Sequence, residues 1–81
     1  YRKLNYNAAF NAASRALAIN TYDGGANYYY GLAALMLNKT FDAKDGFDIA
    51  SQSAEYRVAA FTQLSFIYLK EKETYRHRTN S

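Results

Sequence analysis

The chain has 81 residues, no Cys, no Pro and a formal net charge of +3. That length makes one domain with a small core, near the lower limit for independent folding. The lack of Cys excludes a disulfide framework and any Cys-based metal site, and no apolar run approaches a membrane span.

Charge placement narrows the partner classes further. Arg2 and Lys3 stand at one end, and Lys70, Lys72, Arg76 and Arg78 at the other, diluted by Glu71 and Glu73. Between Arg15 and Arg57 there are four basic and five acidic residues, so the middle is close to neutral. A nucleic-acid binder needs a basic stripe along the molecule, and this distribution disfavours one.

A Pro-free, Ala-rich chain favours helix throughout. The first helix is predicted from about Asn5 to Ile19, with Tyr6, Ala9, Phe10, Ala13, Ala16 and Leu17 on one face at helical spacing. Asn20 to Gly25 reads as a turn, with Asp23 placed to cap the next helix. The second helix is predicted from about Gly25 to Leu37, ended by Asn38, which tolerates the left-handed conformation. The third is predicted from about Phe41 to Ser51. Gly46 inside it costs about 1 kcal/mol against Ala by propensity; either a neighbouring helix comes close there or the glycine is simply tolerated. The fourth begins near Glu55 or Tyr56 and reaches at least Lys70. The polar stretch beyond it extends that helix, starts a fifth or frays.

The helices are related by a repeat. Shifted by 34 residues, Ala9 falls on Ala43, Ala16 on Ala50, Tyr22 on Tyr56, Ala26 on Ala60, Leu35 on Leu69 and Phe41 on Tyr75. Gly31 falls on Ser65, small on small, and Tyr30 on Leu64, large on large. A period of 34 with helical patterning is the mark of stacked helix pairs, in which no unit buries its apolar face alone. Gly31 and Ala43 are expected to let two helices approach. Phe47, Ile49, Phe61, Leu64 and Tyr68 are expected to fill the space between pairs, with Ala50 leaving room for the fourth helix.

The stretch from Ala26 to Ala33 resembles the opening helix of a tetratricopeptide repeat (TPR), with Asn27 and Ala34 replacing the usual Trp and Tyr. Ala43, Phe47 and Ala50 match that repeat's second helix, and Ala60 to Tyr68 matches the opening helix of the next. Ala9, Ala13, Ala16 and the run from Leu17 to Asn20 resemble the second helix of a preceding repeat. Thr21 and Glu55 stand where the repeats usually close on Pro. The resemblance implies an all-α fold: antiparallel helix-turn-helix repeats stacked as a short right-handed α-solenoid of about two and a half units. Residues 5–22 would be the second helix of a partial repeat, 23–56 a full repeat, and 57–81 the first helix of a further one with a polar tail, all in one domain, 1–81. Because the chain opens at Tyr1 in mid-repeat, it is expected to be a piece of a longer protein. A looser resemblance, carried by Thr21-Tyr22-Asp23, Ala26-Asn27-Tyr28 and Asp42 to Phe47, is to repeats attached to large proteins of gut Bacteroides, and implies that any chemistry lies outside this chain.

In the TPR family the first helix of each repeat lines a concave face. That assigns Tyr28, Leu32, Leu35 and Met36 from the second helix, and Thr62, Phe66, Leu69 and Lys70 from the fourth, to a mostly apolar groove. Such a groove suits an amphipathic helix or an extended apolar peptide. The competing reading is that these side chains pack against neighbouring repeats or the tail. The related pentatricopeptide class, which reads RNA, is disfavoured by the weak charge, and a carboxylate-clamp groove by the absence of paired cations at Tyr28, Leu32, Thr62 and Phe66.

Other chemistry fails on spacing. Asp42, Asp45, Gly46 and Asp48 do not meet the calcium-loop register, which would put ligands at Phe41 and Ala43. His77 is the only His, and the Ser and Thr residues have no base to activate them. Tyr28, Tyr29 and Tyr30 point about 100° apart on a helix and form no single platform. The expectation is a non-enzymatic protein-interaction module without cofactor or metal, in which Leu32→Glu abolishes binding. The alternative is a structural spacer or a self-associating element that forms homo-oligomers by end stacking, with Phe10 and the C-terminal segment controlling oligomer size.

Overall fold

The computed structural model describes the backbone of residues 5–80 and the side chains of residues 5–74. Four helices follow one another, α1 (Tyr6–Ile19), α2 (Gly24–Met36), α3 (Thr40–Ala50) and α4 (Arg57–Asn80). Each packs antiparallel against its neighbours in the chain.

The boundaries follow from capping. Asn5 accepts the Ala8 N–H at 3.0 Å and starts α1. Asp23 does the same for Ala26 at 2.8 Å and starts α2, satisfying a donor that the helix itself leaves unpaired. Asn38 adopts φ 62°, the left-handed conformation expected of it. There the Lys39 N–H donates to the Ala34 carbonyl (2.8 Å) and the Asn38 N–H to that of Leu35 (3.1 Å), the paired bonds of a Schellman ending. α3 has no side-chain cap, but Asp42 in its first turn complements the helix dipole. A turn over 51–56 leads into α4, held by the Arg57 guanidinium donating to the Ser51 carbonyl at 3.0 Å. The polar stretch after Lys70 continues α4 as far as Asn80 and forms no fifth helix.

The buried core consists of Ala34 from α2, Ala43, Phe47 and Ala50 from α3, and Ala60, Leu64 and Ile67 from α4. Phe10, Tyr28, Leu32, Leu35 and Tyr56 pack around it, half-buried. Two glycines set the α2–α3 spacing. A methyl group on Gly31 would stand 2.7 Å from the Phe47 ring, and one on Gly46 would stand 2.6 Å from the Asn27 carbonyl oxygen. The side chain that covers Gly31 is therefore that of Phe47, and the close backbone approach belongs to Gly46, not to the expected pairing of Gly31 with Ala43.

Three packing expectations are corrected. Phe61 and Tyr68, assigned to the core, are 53% and 51% exposed. The stripe that α4 buries is Ala60, Leu64 and Ile67, rotated by one residue. Both stripes share Leu64 and have helical spacing, so periodicity alone did not separate them; the angle at which α4 meets α3 did. Ile49 is only half-buried, on the side of α3 nearer α1. On α1, Tyr6, Phe10, Ala13 and Leu17 are half-buried against the rest, whereas Ala9 and Ala16 face solvent.

Candidate partner-binding face

The eight groove residues divide into two sets. Tyr28, Leu32 and Leu35 on α2 are half-buried against the core. The Tyr28 ring lies 5.6 Å from Phe47 and 5.5 Å from Tyr56, centroid to centroid. Such aromatic pairs add about 0.5–1.5 kcal/mol each beyond area burial. Together they make a stiff aromatic floor where the turn over 51–56 meets α2. Met36 on α2 and Thr62, Phe66, Leu69 and Lys70 on α4 are exposed. The Thr62 hydroxyl donates back to the Val58 carbonyl at 2.9 Å, so it is already engaged within its own helix.

Tyr28 is thus a packed residue of the floor rather than an open groove residue. The three consecutive tyrosines diverge as their spacing requires. Tyr28 joins the floor, Tyr29 is exposed, and Tyr30 stacks on Phe10 of α1 at 4.8 Å. Burial, with the nearby Asp42 and Asp45 carboxylates, pushes the Tyr30 hydroxyl above its ordinary value. Tyr56 is pushed the same way by desolvation, then by Glu55, Tyr29 and Asp23. Both phenols therefore stay neutral across the physiological range.

Sequence reading missed the role of Asn27. It is 2% exposed, and its amide donates to the Thr21 carbonyl at 2.8 Å and the Asp23 carbonyl at 2.9 Å, fastening the α1–α2 turn to α2. Its only signal in the sequence was a lone amide within an otherwise apolar and aromatic helix. Asn27 also lines a shallow, open cavity of about 350 Å³ between α1, α2 and α3, with Leu17, Thr21, Tyr30, Asp45 and Ile49. The Thr21 hydroxyl already donates to the Leu17 carbonyl at 3.2 Å and the Asn27 amide to the turn.

Lys44 joins α3 to α4. Its ammonium lies 2.8 Å from the Glu71 carboxylate and also sits over the rings of Phe41 (5.6 Å) and Tyr68 (5.3 Å). Among the described residues, no group of His, Asp or Glu is arranged to hold a metal ion, and no helix is long and apolar enough to cross a membrane. The expectations placed on Arg2, Lys3, Tyr75, Arg76, His77 and Arg78 lie outside the described side chains. Compared with models of protein families, with curated proteins and with solved structures, the chain matches none.

Proposed function

We propose that this chain is a short TPR-type array, a right-handed α-solenoid of about two and a half units, that binds a partner peptide or helix. The observation that carries the reading is the exposure of Met36, Phe66 and Leu69, at 55%, 61% and 57%, beside a packed aromatic floor. The 34-residue register pairs Leu35 with Leu69 and Met36 with Lys70. Covering Met36, Phe66 and Leu69 is favourable by about 25 cal/mol per Å² of apolar surface, offset in part by the rotamer freedom that they lose. An amphipathic helix would cover them with its own apolar face. Lys70, at the rim, favours an acidic residue on the ligand.

Leu32→Glu is a poor probe of this reading, because Leu32 packs against the core and its replacement threatens the fold. Phe66→Glu changes an exposed position instead. Peptides selected from a display library on the wild-type chain are expected to lose at least tenfold in affinity for Phe66→Glu, with helicity by circular dichroism unchanged. Equal binding by both proteins would sink the groove reading.

A further inference from the structure

The cavity between α1, α2 and α3 is reached by a polar atom that the fold leaves without a partner. Asn27 is 2% exposed, and its amide nitrogen spends both hydrogens on the Thr21 and Asp23 carbonyls. Both partners are acceptors, so the amide can point only one way and its oxygen is the end left over. That oxygen accepts from no donor among the described residues, and no fully buried side-chain oxygen among them lacks a partner. The oxygen is therefore the atom that holds what exposure Asn27 retains, and the open space that Asn27 lines is the cavity. A nearly enclosed amide oxygen needs a donor, and here the donor must come from outside the chain.

The wall beside that oxygen is acidic. Gly46 lets α3 close on α2, where its Cβ position stands 3.1 Å from the Tyr30 ring, and this brings the neighbouring Asp45 to the cavity. After burial itself, the Asp42 and Asp45 carboxylates are what hold the proton on the Tyr30 hydroxyl. Among the described residues, no Lys or Arg pairs with Asp45, and Arg15, beside the cavity-lining Ser14, has no carboxylate partner either. Leu17, Ala18 and Ile49 make the rest of the wall apolar. The volume of about 350 Å³ falls at the small end of ligand sites.

We propose that this cavity binds an alkylammonium group. Its nitrogen donates to the Asn27 amide oxygen, Asp45 balances its charge, and its chain lies on Leu17, Ala18 and Ile49. A water or an alcohol satisfies the oxygen but not the charge, and an anion is repelled by Asp45. An organic cation meets the oxygen, the carboxylate and the apolar wall together. A free amine and the lysine side chain of a partner peptide carry the same group. The cavity shares no residue with the groove, so neither reading depends on the other.

Titration of the isotope-labelled chain with n-butylammonium, followed by amide chemical shifts, tests it. Saturable shifts are expected at Leu17, Ala18, Asn27 and Ile49, with the millimolar affinity of a small ligand in an open site. Butyrate and butanol, of the same size, are expected to give none at equal concentration. Asp45→Asn is expected to weaken binding about tenfold, and Ala18→Phe to abolish it by filling the space without changing the charge. Both positions are exposed, so helicity by circular dichroism is expected to hold. N-acetyl-lysine amide separates the two sources: tighter binding than butylammonium assigns the site to a partner's lysine, and weaker binding to a free amine, both within the proposal. No shifts at the lining residues, equal shifts with butanol or butyrate, or wild-type affinity in Asp45→Asn or Ala18→Phe would each overturn it. Phe66→Glu is expected to bind butylammonium like wild type, so a failure of the groove and a failure of the cavity are read separately.

Discussion

Gly46 shows how one missing methyl group sets a helix pair. A Cβ there would meet the Asn27 carbonyl oxygen at 2.6 Å and the Gly31 nitrogen at 3.0 Å, and a helix backbone cannot step aside as a side-chain tip can. Gly46→Ala gains about 1 kcal/mol of helix propensity but incurs about 1–3 kcal/mol of overpacking. The expected result is a net loss of up to about 2 kcal/mol, read as a lower midpoint in urea. Asn27→Ala leaves the Thr21 carbonyl without its donor, while the Asp23 carbonyl keeps the backbone N–H of residue 27, and should cost about 1–3 kcal/mol in the same measurement. Tyr30 ties stability to pH. Its folded-state pKa is raised above the ordinary 10.0, mainly by burial, so its stabilising contribution is intact below pH 10 and disappears as pH rises through the folded value. A thermal melting series across that window should show the loss, and Tyr30→Phe should lessen it. An identical alkaline decline in the variant would assign the effect elsewhere.

Among the first three helices, α1 is the most weakly held. It has no buried residue, whereas α2 and α3 have four each. Local opening free energy follows buried contacts, so amide exchange should be faster in α1 than across α2 and α3. Protection in α1 equal to that in α3 would contradict this ranking. Beside the shared core, a polar link between α3 and α4 runs through Lys44, whose side chain is 21% exposed against 47% for Glu71. Glu71→Gln removes only a screened ion pair and should cost under about 1 kcal/mol. Lys44→Ala also removes two ring contacts, each worth about 0.5–1 kcal/mol, and should cost more. Equal losses in chemical denaturation would mean that the rings contribute nothing. Helix existence and order were legible in the sequence because the signals are local. Asp23 and Asn38 do in the structure what their side chains and backbone preferences imply. The phase of α4 was not legible, since Ala60–Leu64–Ile67 and Phe61–Leu64–Tyr68 are both spaced as helical stripes.

At the scale of the whole molecule, measuring 46 × 30 × 24 Å, apolar surface is distributed unevenly. Phe61, Phe66, Tyr68 and Leu69 are all more than half exposed along α4, although the same helix contributes Leu64 and Ile67 to the core. A helix that is apolar on several sides is made to be covered on several sides.

The chain by itself determined the first three helices to within a residue or two, the approximate start of the fourth and the 34-residue register, because caps, turn residues and apolar spacing act over a few neighbouring positions; it left open whether the polar tail extends the fourth helix. It also named residues of the candidate groove, but without separating Tyr28, Leu32 and Leu35, which form the floor, from Met36, Phe66 and Leu69, which face solvent. Only tertiary structure made that division, and only it buried Ala43, Gly46 and Ala50 while leaving Ala9, Ala12 and Ala16 bare. The physical reason is that burial depends on which helix lies opposite. Equivalent positions in a repeat carry the same pattern, and the presence or absence of a neighbour decides whether that pattern becomes core or surface.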